Sequence, residues 1–100
     1  MLTKRNISTV KLEKMSDILK SIAHPIRLEI IELLEEYGTL GVTEIQQKLT
    51  IEQSLLSHHL TKMKDKGILS SVREGKNLFY SISLTHIEGI FDCMGKCDID

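Results

Sequence analysis

Apolar residues in the first third of the chain recur at helical spacing in two separate stretches. The first stretch predicts a helix over about 9–22. Its apolar positions are Val10, Met15, Ile18, Leu19 and Ile22. Pro25 disfavours helix at the residue before it but suits the first turn of a new helix, and Gly38 is a good stop for that second helix. The apolar stripe of the second helix is Ile26, Ile30, Leu33, Leu34 and Tyr37.

Two further amphipathic stretches follow, separated by a turn of about three residues. We expect Thr43 to be the N-cap of the third helix, with Gln46 completing a capping box and the helix ending near Leu49. The fourth helix is predicted over about 52–66, with Gly67 ending it. Its buried positions are expected to be Leu56, Leu60 and Met63. Two helices joined by so short a turn are typical of a helix-turn-helix unit.

The apolar pattern changes period after residue 67. The segment ILSSVREGKNLFYSISL contains two short runs rich in Val, Ile, Phe and Tyr, separated by the polar residues 74–77. This pattern predicts a β-hairpin with a basic tip. A last helix is expected over about 85–97, although Gly89 and Gly95 each lower its stability by about 1 kcal/mol relative to alanine. The predicted order is four helices, a hairpin and a fifth helix.

Composition adds the size and class of the protein. One hundred residues with 41% hydrophobic side chains and no Trp are enough for one small core, made mostly of Ile, Leu, Val and Met. We therefore expect a single domain, 1–100, that gains stability by dimerising. No run approaches the ~18 apolar residues of a membrane span, and the charged N-terminus lacks the apolar part of a signal peptide, so a cytoplasmic protein is expected.

The net charge of −1 does not by itself indicate a nucleic-acid partner, but the charges are unevenly distributed. Residues 1–20 and 61–79 carry more cations than anions, whereas the middle of the chain and its end are acidic. The cations of the second basic stretch are Lys62, Lys64, Lys66, Arg73 and Lys76. A basic helix beside a basic hairpin tip suits a polyanion, and ordinary surface charge is the alternative explanation.

The adjacent residues His58 and His59 lie on the fourth helix, where successive side chains differ by about 100° in direction. They are therefore poorly placed to share one metal ion, and the helical HExxH pattern of zinc proteases is absent. No Asp or Cys at helical spacing completes a catalytic triad around them, so the sequence predicts that the protein is not an enzyme. We expect His59, between Leu55 and Met63, to be a packed residue at the core boundary with one hydrogen-bonded nitrogen.

The outward side of the same helix carries small polar residues with one cation beside them. Such side chains can hydrogen-bond base edges and phosphates in a major groove without steric bulk, whereas the alternative for His58 is a solvated surface residue. A hairpin that follows at once and carries Arg73 and Lys76 near its tip is a winged-helix arrangement, in which the wing contacts the DNA backbone or the adjacent minor groove. The predicted DNA-binding residues are Gln53, Ser54, Ser57, His58, Thr61, Lys62, Arg73 and Lys76.

Three segments carry a resemblance to a known family: SIAHPIRLEIIELL, VTEIQQKL and SLLSHHLTKMKDKGILSSVREGKNLFYSI, within about 19–84. Together they resemble the ArsR/SmtB family of bacterial winged-helix repressors. The resemblance implies a homodimer built from the first and last helices, an inverted-repeat operator, and repression relieved by an inducer. It assigns base contacts to Ser54, Ser57 and His58, and backbone contacts to Lys62, Arg73 and Lys76.

The resemblance also implies two places where a metal inducer could bind. The first is a Cys-x-Cys motif at the third helix, and it is absent because LGVTEIQQ contains no cysteine. The second is a four-residue pattern on the last helix, where this chain has Leu84, His86, Cys97 and Asp100. Eleven helical residues span about 16 Å, so His86 and Cys97 of one chain cannot share an ion. Two antiparallel last helices would bring His86 of one chain to Cys97 and Asp100 of the other, a possible zinc site.

Cys93 and Cys97 suggest a rival sensor. Residues four apart lie on one helical face about 6 Å from each other, so two thiolates there could chelate a soft ion such as arsenite, Cd(II) or Cu(I). They could also act as a redox pair, although a disulfide would distort a regular helix. The alternative is that Cys93 is a small hydrophobe in the dimer interface and Cys97 a tail thiol. The candidate metal ligands are His86, Cys93, Cys97 and Asp100, with zinc or another thiophilic ion as the cofactor.

These observations predict a mainly α fold with a β-hairpin wing, a winged helix-turn-helix, acting as a homodimeric DNA-binding repressor. Its release from a double-stranded operator would follow from a metal, metalloid or thiol-reactive inducer. The alternative function is a winged helix that contacts protein or RNA without binding an operator. His24 is expected to cap the second helix or to pack against it.

Overall fold

The computed structural model describes residues 8–83, which form four helices and three strands. In chain order these are α1 (Thr9–Ile22), α2 (Pro25–Tyr37), β1 (Thr39–Gly41), α3 (Val42–Leu49), α4 (Gln53–Asp65), β2 (Leu69–Glu74) and β3 (Asn77–Ile82). The predicted fold class, mainly α with a β-hairpin wing, is confirmed. The predicted order needs one correction, because a short strand stands between the second and third helices. The expected last helix lies outside the described residues.

Local hydrogen bonds set the first two helix starts. Ser8 caps α1, its hydroxyl accepting from the backbone N–H of Lys11 at 3.2 Å. His24 caps α2, because its Nδ1 accepts from the N–H of Ile26 at 3.1 Å. This confirms the capping role expected for the histidine. Gly38 ends α2 at a φ of +84°, a backbone conformation that glycine adopts without steric cost.

The start of α3 differs from the prediction. Gly41, not Thr43, is the N-cap, and its backbone N–H donates to the Glu44 carboxylate at 3.0 Å. The reason is β1, whose pairing with β3 places Gly41 opposite Phe79 and ends there, so the helix begins immediately afterwards. A Cβ on residue 41 would lie 3.4 Å from the Phe79 ring, so glycine suits this close approach.

The turn between α3 and α4 has the predicted length, residues 50–52. Thr50 adopts a left-handed conformation with a φ of 51°, which few residues other than glycine and asparagine adopt. The N–H of Ile51 returns to the carbonyl of Gln46 at 3.4 Å, and Ile51 packs against the core. The helix-turn-helix unit is therefore closed by backbone hydrogen bonding and apolar contact together.

The three strands form an antiparallel sheet in the order β1-β3-β2. The β2–β3 register runs from Leu69 opposite Ile82 to Glu74 opposite Asn77, so the predicted hairpin is confirmed. Gly75 begins the two-residue turn at a φ of +63°, where a tight hairpin favours glycine. Because β3 lies in the centre of the sheet, its hydrogen bonds connect the wing strand β2 to β1, the strand that precedes α3.

One apolar cluster holds the helices against the sheet. It includes the three positions predicted to be buried on the fourth helix. Its members are Ile22, Ile30, Ile31, Leu34, Leu40, Ile45, Leu56, Leu60, Met63, Ile68, Leu69 and Tyr80. None of these side chains is more than 5% exposed, so the fold rests on a closely packed, mostly aliphatic core. No helix in residues 8–83 combines the length and the apolar character that a membrane crossing needs.

The apolar stripe of α1 is buried at one end only. Ile22 belongs to the core, whereas Val10, Leu12, Met15 and Leu19 are exposed within the described part of the chain. Leu12, Met15 and Leu19, spaced by three and four residues, share one side of the helix and form a larger patch than a lone surface leucine, whereas Val10 lies on the opposite side. Helical periodicity predicts an apolar side of α1 but omits Leu12, and within residues 8–83 only Ile18 and Ile22 of the predicted stripe contact the core.

A hydrogen-bonded link joins three of the helices. Arg27 on α2 donates its Nε–H to Nδ1 of His59 on α4 at 2.9 Å. The same guanidinium donates from Nη1 to the backbone carbonyl of Ser21, near the end of α1, at 2.7 Å. His59 is 4% exposed, with the rings of His24 and His58 at 4.5 and 5.6 Å between centroids. The expected packed histidine with one hydrogen-bonded nitrogen is confirmed.

The surroundings of His59 favour its neutral ring. Burial lowers the pKa of His59, and the charges of His24, Arg27 and His58 lower that pKa further. The hydrogen bond requires the same state, since only an unprotonated Nδ1 can accept from Arg27. The proton of the neutral ring is therefore on Nε2, which is buried and has no partner among the described residues.

We expect the folded protein to lose stability as the pH falls below about 6.5. In the unfolded chain His59 titrates near its ordinary pKa of 6.5, whereas the folded protein resists protonating it. The stability that neutral His59 contributes is therefore complete above pH 6.5 and decreases as the pH falls towards the lowered folded pKa. Urea unfolding between about pH 8 and pH 5 measures this slope.

The matched variants are His59→Gln and His58→Gln. Glutamine at position 59 keeps an acceptor for Arg27 and removes the titration, so the decline in the unfolding midpoint should be shallower than in the wild type. His58 is exposed, and its charge is the smallest of the contributions that lower the pKa of His59, so the slope of His58→Gln should lie close to that of the wild type and remain steeper than that of His59→Gln. An unchanged slope in His59→Gln would contradict the assignment.

Candidate nucleic-acid interface

The side chains of α4 divide into a buried side and an exposed side. The buried side consists of Leu56, His59, Leu60 and Met63. The polar residues predicted to bind DNA are all exposed, namely Gln53, Ser54, Ser57, His58, Thr61 and Lys62. Burial every three to four residues fixes the rotation of the helix, so its polar side is turned away from the core.

An acidic residue stands at the start of α4. Glu52 occupies the N-cap position, but its side chain caps no backbone N–H; it accepts a hydrogen bond from the Ser54 hydroxyl instead. A hydroxyl that donates in this way still has lone pairs, so Ser54 can accept from the amino group of a base. The predicted set of contacts therefore includes one serine, Ser54, whose hydroxyl hydrogen is already donated to Glu52.

The wing carries its cations at the tip of the hairpin. Arg73 lies on β2 opposite Leu78, and Lys76 lies in the turn. Both side chains are exposed, and no salt bridge within residues 8–83 involves either of them. Two cations without an acidic partner in the described structure are suited to contact phosphate groups.

A cleft of about 460 Å³ lies between the wing and the first turns of α3 and α4. It brings together Gln53 and Ser57 from α4 with Arg73 and Lys76 from the wing. These four residues belong to the predicted DNA-binding set, although up to 23 positions separate them in the chain. Polar groups of a helix and cations of a hairpin thus face the same space.

The remaining predicted residues do not line that cleft. Ser54, His58 and Thr61 lie on the open side of α4, where the His58 ring meets His59 edge to face. Lys62 lines a smaller cleft of about 190 Å³ together with Lys20 and Lys66. Lys66 is already paired there, with Asp17 at 3.0 Å. The eight predicted residues are therefore all exposed, but they do not line one pocket.

Two features of this surface are absent from the sequence prediction. Thr43, expected to be an N-cap, is an exposed residue of the first turn of α3 and lines the larger cleft. Leu55, which the sequence places beside His59 without indicating a role for it, is 42% exposed. A helical wheel places Leu55 near the edge between the two sides of α4, so the spacing alone does not determine its exposure.

The candidate metal ligands His86, Cys93, Cys97 and Asp100 lie outside the described residues. Within 8–83, no group of three or more His, Cys, Asp or Glu side chains is placed to hold a metal ion. The expected metal or thiol site on the last helix stays a prediction.

The chain is similar to known transcriptional regulators over most of its length. Residues 24–71 match the family described as bacterial regulatory protein, arsR family. The transcriptional repressor PagR of Bacillus anthracis is 42% identical over 84 residues, which are 84% of each chain. The transcriptional activator HlyU of Vibrio cholerae is 30% identical over 79 residues, which are 79% of this chain and 72% of HlyU.

Solved structures of the same two proteins share the fold. The crystal structure of PagR has a TM-score of 0.80 at 39% identity, over 87% of this chain and 99% of PagR. HlyU has a TM-score of 0.82 at 27% identity, over 89% of this chain and 96% of HlyU. These relatives are regulators of transcription rather than enzymes, as predicted. The protein therefore belongs to the ArsR family of bacterial regulatory proteins and is a winged-helix DNA-binding transcriptional regulator.

Proposed function

We propose that the protein is a homodimeric repressor that binds an inverted-repeat operator through α4 and the wing. The observation that carries this proposal is the cleft in which Gln53 and Ser57 of α4 face Arg73 and Lys76 of the wing. A duplex whose major groove receives α4 would bring its backbone against the hairpin. The similarity to PagR, which is a transcriptional repressor, supports repression as the direction of control.

Within this proposal the polar residues and the cations have different roles. Ser54, Ser57 and His58 contact base edges, with Gln53 and Thr61 beside them, and so carry sequence preference. Lys62, Arg73 and Lys76 contact phosphates and supply affinity that is nearly independent of sequence. The cationic contribution depends on salt because each phosphate contact releases bound counterions.

The exposed face of α1 supports the dimer. Leu12, Met15 and Leu19 present apolar surface on one side of α1 that residues 8–83 leave uncovered. We infer that a second copy covers this face together with the expected last helix, so that residues 1–100 form one domain with its terminal helices at the interface. Two-fold symmetry would then present two reading helices to two half-sites. We place this dimer in the cytoplasm, where its DNA is.

For the inducer we propose a metal, metalloid or thiol-reactive agent acting at the end of the chain. One version uses His86 of one chain with Cys97 and Asp100 of the other, in a site suited to zinc. The other uses Cys93 and Cys97 of one chain for a soft ion or a redox step. The support is the chemistry of these four residues in the sequence.

The operator proposal is tested by gel-shift titration with the DNA upstream of the protein's own gene. Three cations per chain and two chains per dimer give about six phosphate contacts. Affinity should therefore fall by about a thousandfold between about 50 and 200 mM salt. A shuffled duplex should bind weakly at both salt concentrations. Binding that depends on neither sequence nor salt concentration would contradict the proposal and favour a winged helix that contacts protein. Tighter binding to an RNA duplex than to DNA would favour a winged helix that contacts RNA.

Two substitutions separate base reading from backbone contact. His58→Ala should reduce the preference for the upstream DNA over the shuffled duplex. Lys76→Ala should weaken both by about 1 kcal/mol or less, and it should lower the salt slope by about two because each dimer loses two phosphate contacts. Lys48→Ala is the control for a lost positive charge. This exposed lysine is not among the proposed DNA contacts, and it stacks over Tyr37 with its Nζ 4.3 Å from the ring centroid. If His58→Ala and Lys76→Ala both leave operator affinity unchanged, the proposed contact surface is wrong.

Variants at the end of the chain separate the two inducer models. Cys97→Ser should abolish release of the operator by Zn(II) or arsenite, because both models need that thiol. His86→Ala should abolish this release only if the inducer binds the site shared between two chains. Metal content and free-thiol count of protein purified without chelator provide a second readout. A response that survives in both variants would rule out both sites.

A further inference from the structure

Leu55 is an exposed apolar residue on the helix proposed to read DNA. Among residues 8–83, seven large hydrophobic side chains are substantially exposed, and four of them lie on α1. The other three are Tyr37, Leu55 and Val72, of which Leu55 alone lies on α4. A single exposed leucine is ordinary on a protein surface. Whether the exposure of Leu55 indicates a binding contact therefore depends on where Leu55 lies on α4.

Leu55 is the third residue of α4, in the first helical turn. The first residues of a recognition helix are the ones that come closest to base edges. On the helix surface Leu55 neighbours His58 three residues later and Lys62 seven residues later. Gln53 and Ser57 point to the opposite flank, into the wing cleft. The groove-facing side of α4 thus has Gln53 and Ser57 on the flank towards the wing, and one apolar residue, Leu55, on the other flank beside His58 and Lys62.

The major groove presents one apolar group on a base edge, the 5-methyl group of thymine. Cytosine lacks that methyl group, and both purines present hydrogen-bonding atoms. A leucine in the first turn can remove a thymine methyl from water and gain free energy through apolar burial. The same leucine offers no hydrogen bond to a polar base edge, so its contact would discriminate between bases.

We propose that Leu55 contacts a thymine 5-methyl group in each half-site and so determines specificity for thymine at that position. The inference rests on the proposed function, because it requires α4 to enter the major groove. It adds an apolar contact to a surface whose predicted contacts are all polar or charged. Leu55 is already exposed, so the contact needs no rearrangement of the core.

The test uses a duplex in which deoxyuridine replaces thymidine, removing only the methyl groups. The parent duplex is the upstream fragment that binds selectively in the salt titration. Wild-type protein should bind the uracil duplex about fourfold more weakly for each contacted methyl lost, which corresponds to about 0.8 kcal/mol. Leu55→Ala should bind the two duplexes equally, with an affinity close to that of the wild type on uracil DNA.

Two further variants make the comparison specific. Leu55→Met keeps an apolar side chain of similar size and should retain most of the difference between the duplexes. Tyr37→Ala removes an exposed aromatic residue of α2, outside the helix-turn-helix and the wing, and should retain all of it. Thermal melting checks that Leu55→Ala is folded, as expected for an exposed position.

The possible failures differ from one another. Equal binding of the wild type to both duplexes overturns the Leu55 contact and leaves operator binding intact. A full difference in Leu55→Ala also overturns it, because another residue or the altered stiffness of the DNA then senses the methyl groups. If no duplex is bound selectively, the operator function itself fails, and the Leu55 contact fails with it.

Discussion

The guanidinium of Arg27 holds the proposed DNA-reading helix in place. It donates to His59 on α4 at 2.9 Å and to the Ser21 carbonyl near the end of α1 at 2.7 Å. A planar group with several fixed donors can make both bonds at once, which the single ammonium of lysine does less well. The link also demands a neutral His59, and burial favours that state. The orientation of α4 against α1 and α2 thus depends on one cation and one uncharged ring.

The sheet holds the second half of the proposed interface. β3 pairs with the wing strand on one side and with β1 on the other, and β1 leads directly into α3. The cations of the hairpin are therefore connected through hydrogen-bonded backbone to the start of the helix-turn-helix unit. Apolar packing of α4 on the same core completes the arrangement. The cleft between wing and helix has walls that belong to one packed body, so the spacing of its polar groups is largely set before any ligand binds.

The sequence predicts much of this structure, and the exceptions have physical reasons. Helical spacing and the two terminal glycines identify α2 and α4, and alternation identifies the hairpin. β1 is too short to show a period, and without it Thr43 and Gln46 resemble a capping box that the structure places at Gly41 and Glu44. The hydrogen bond to His59 is predictable, but its donor lies 32 positions away and depends on tertiary packing. Periodicity identifies the apolar face of α1, but it does not tell what covers that face.

The carboxylate of Glu52 at the N-terminus of α4 affects how the protein is distributed between its target site and the rest of a chromosome. Random DNA presents the same phosphates everywhere, and a regulator that is attracted to all of them spends most of its time away from its target. An anion beside the first turn, in a chain with a net charge of −1, weakens that indiscriminate attraction. Occupancy of a cognate site then depends less on how many molecules the cell makes, because fewer of them are sequestered elsewhere.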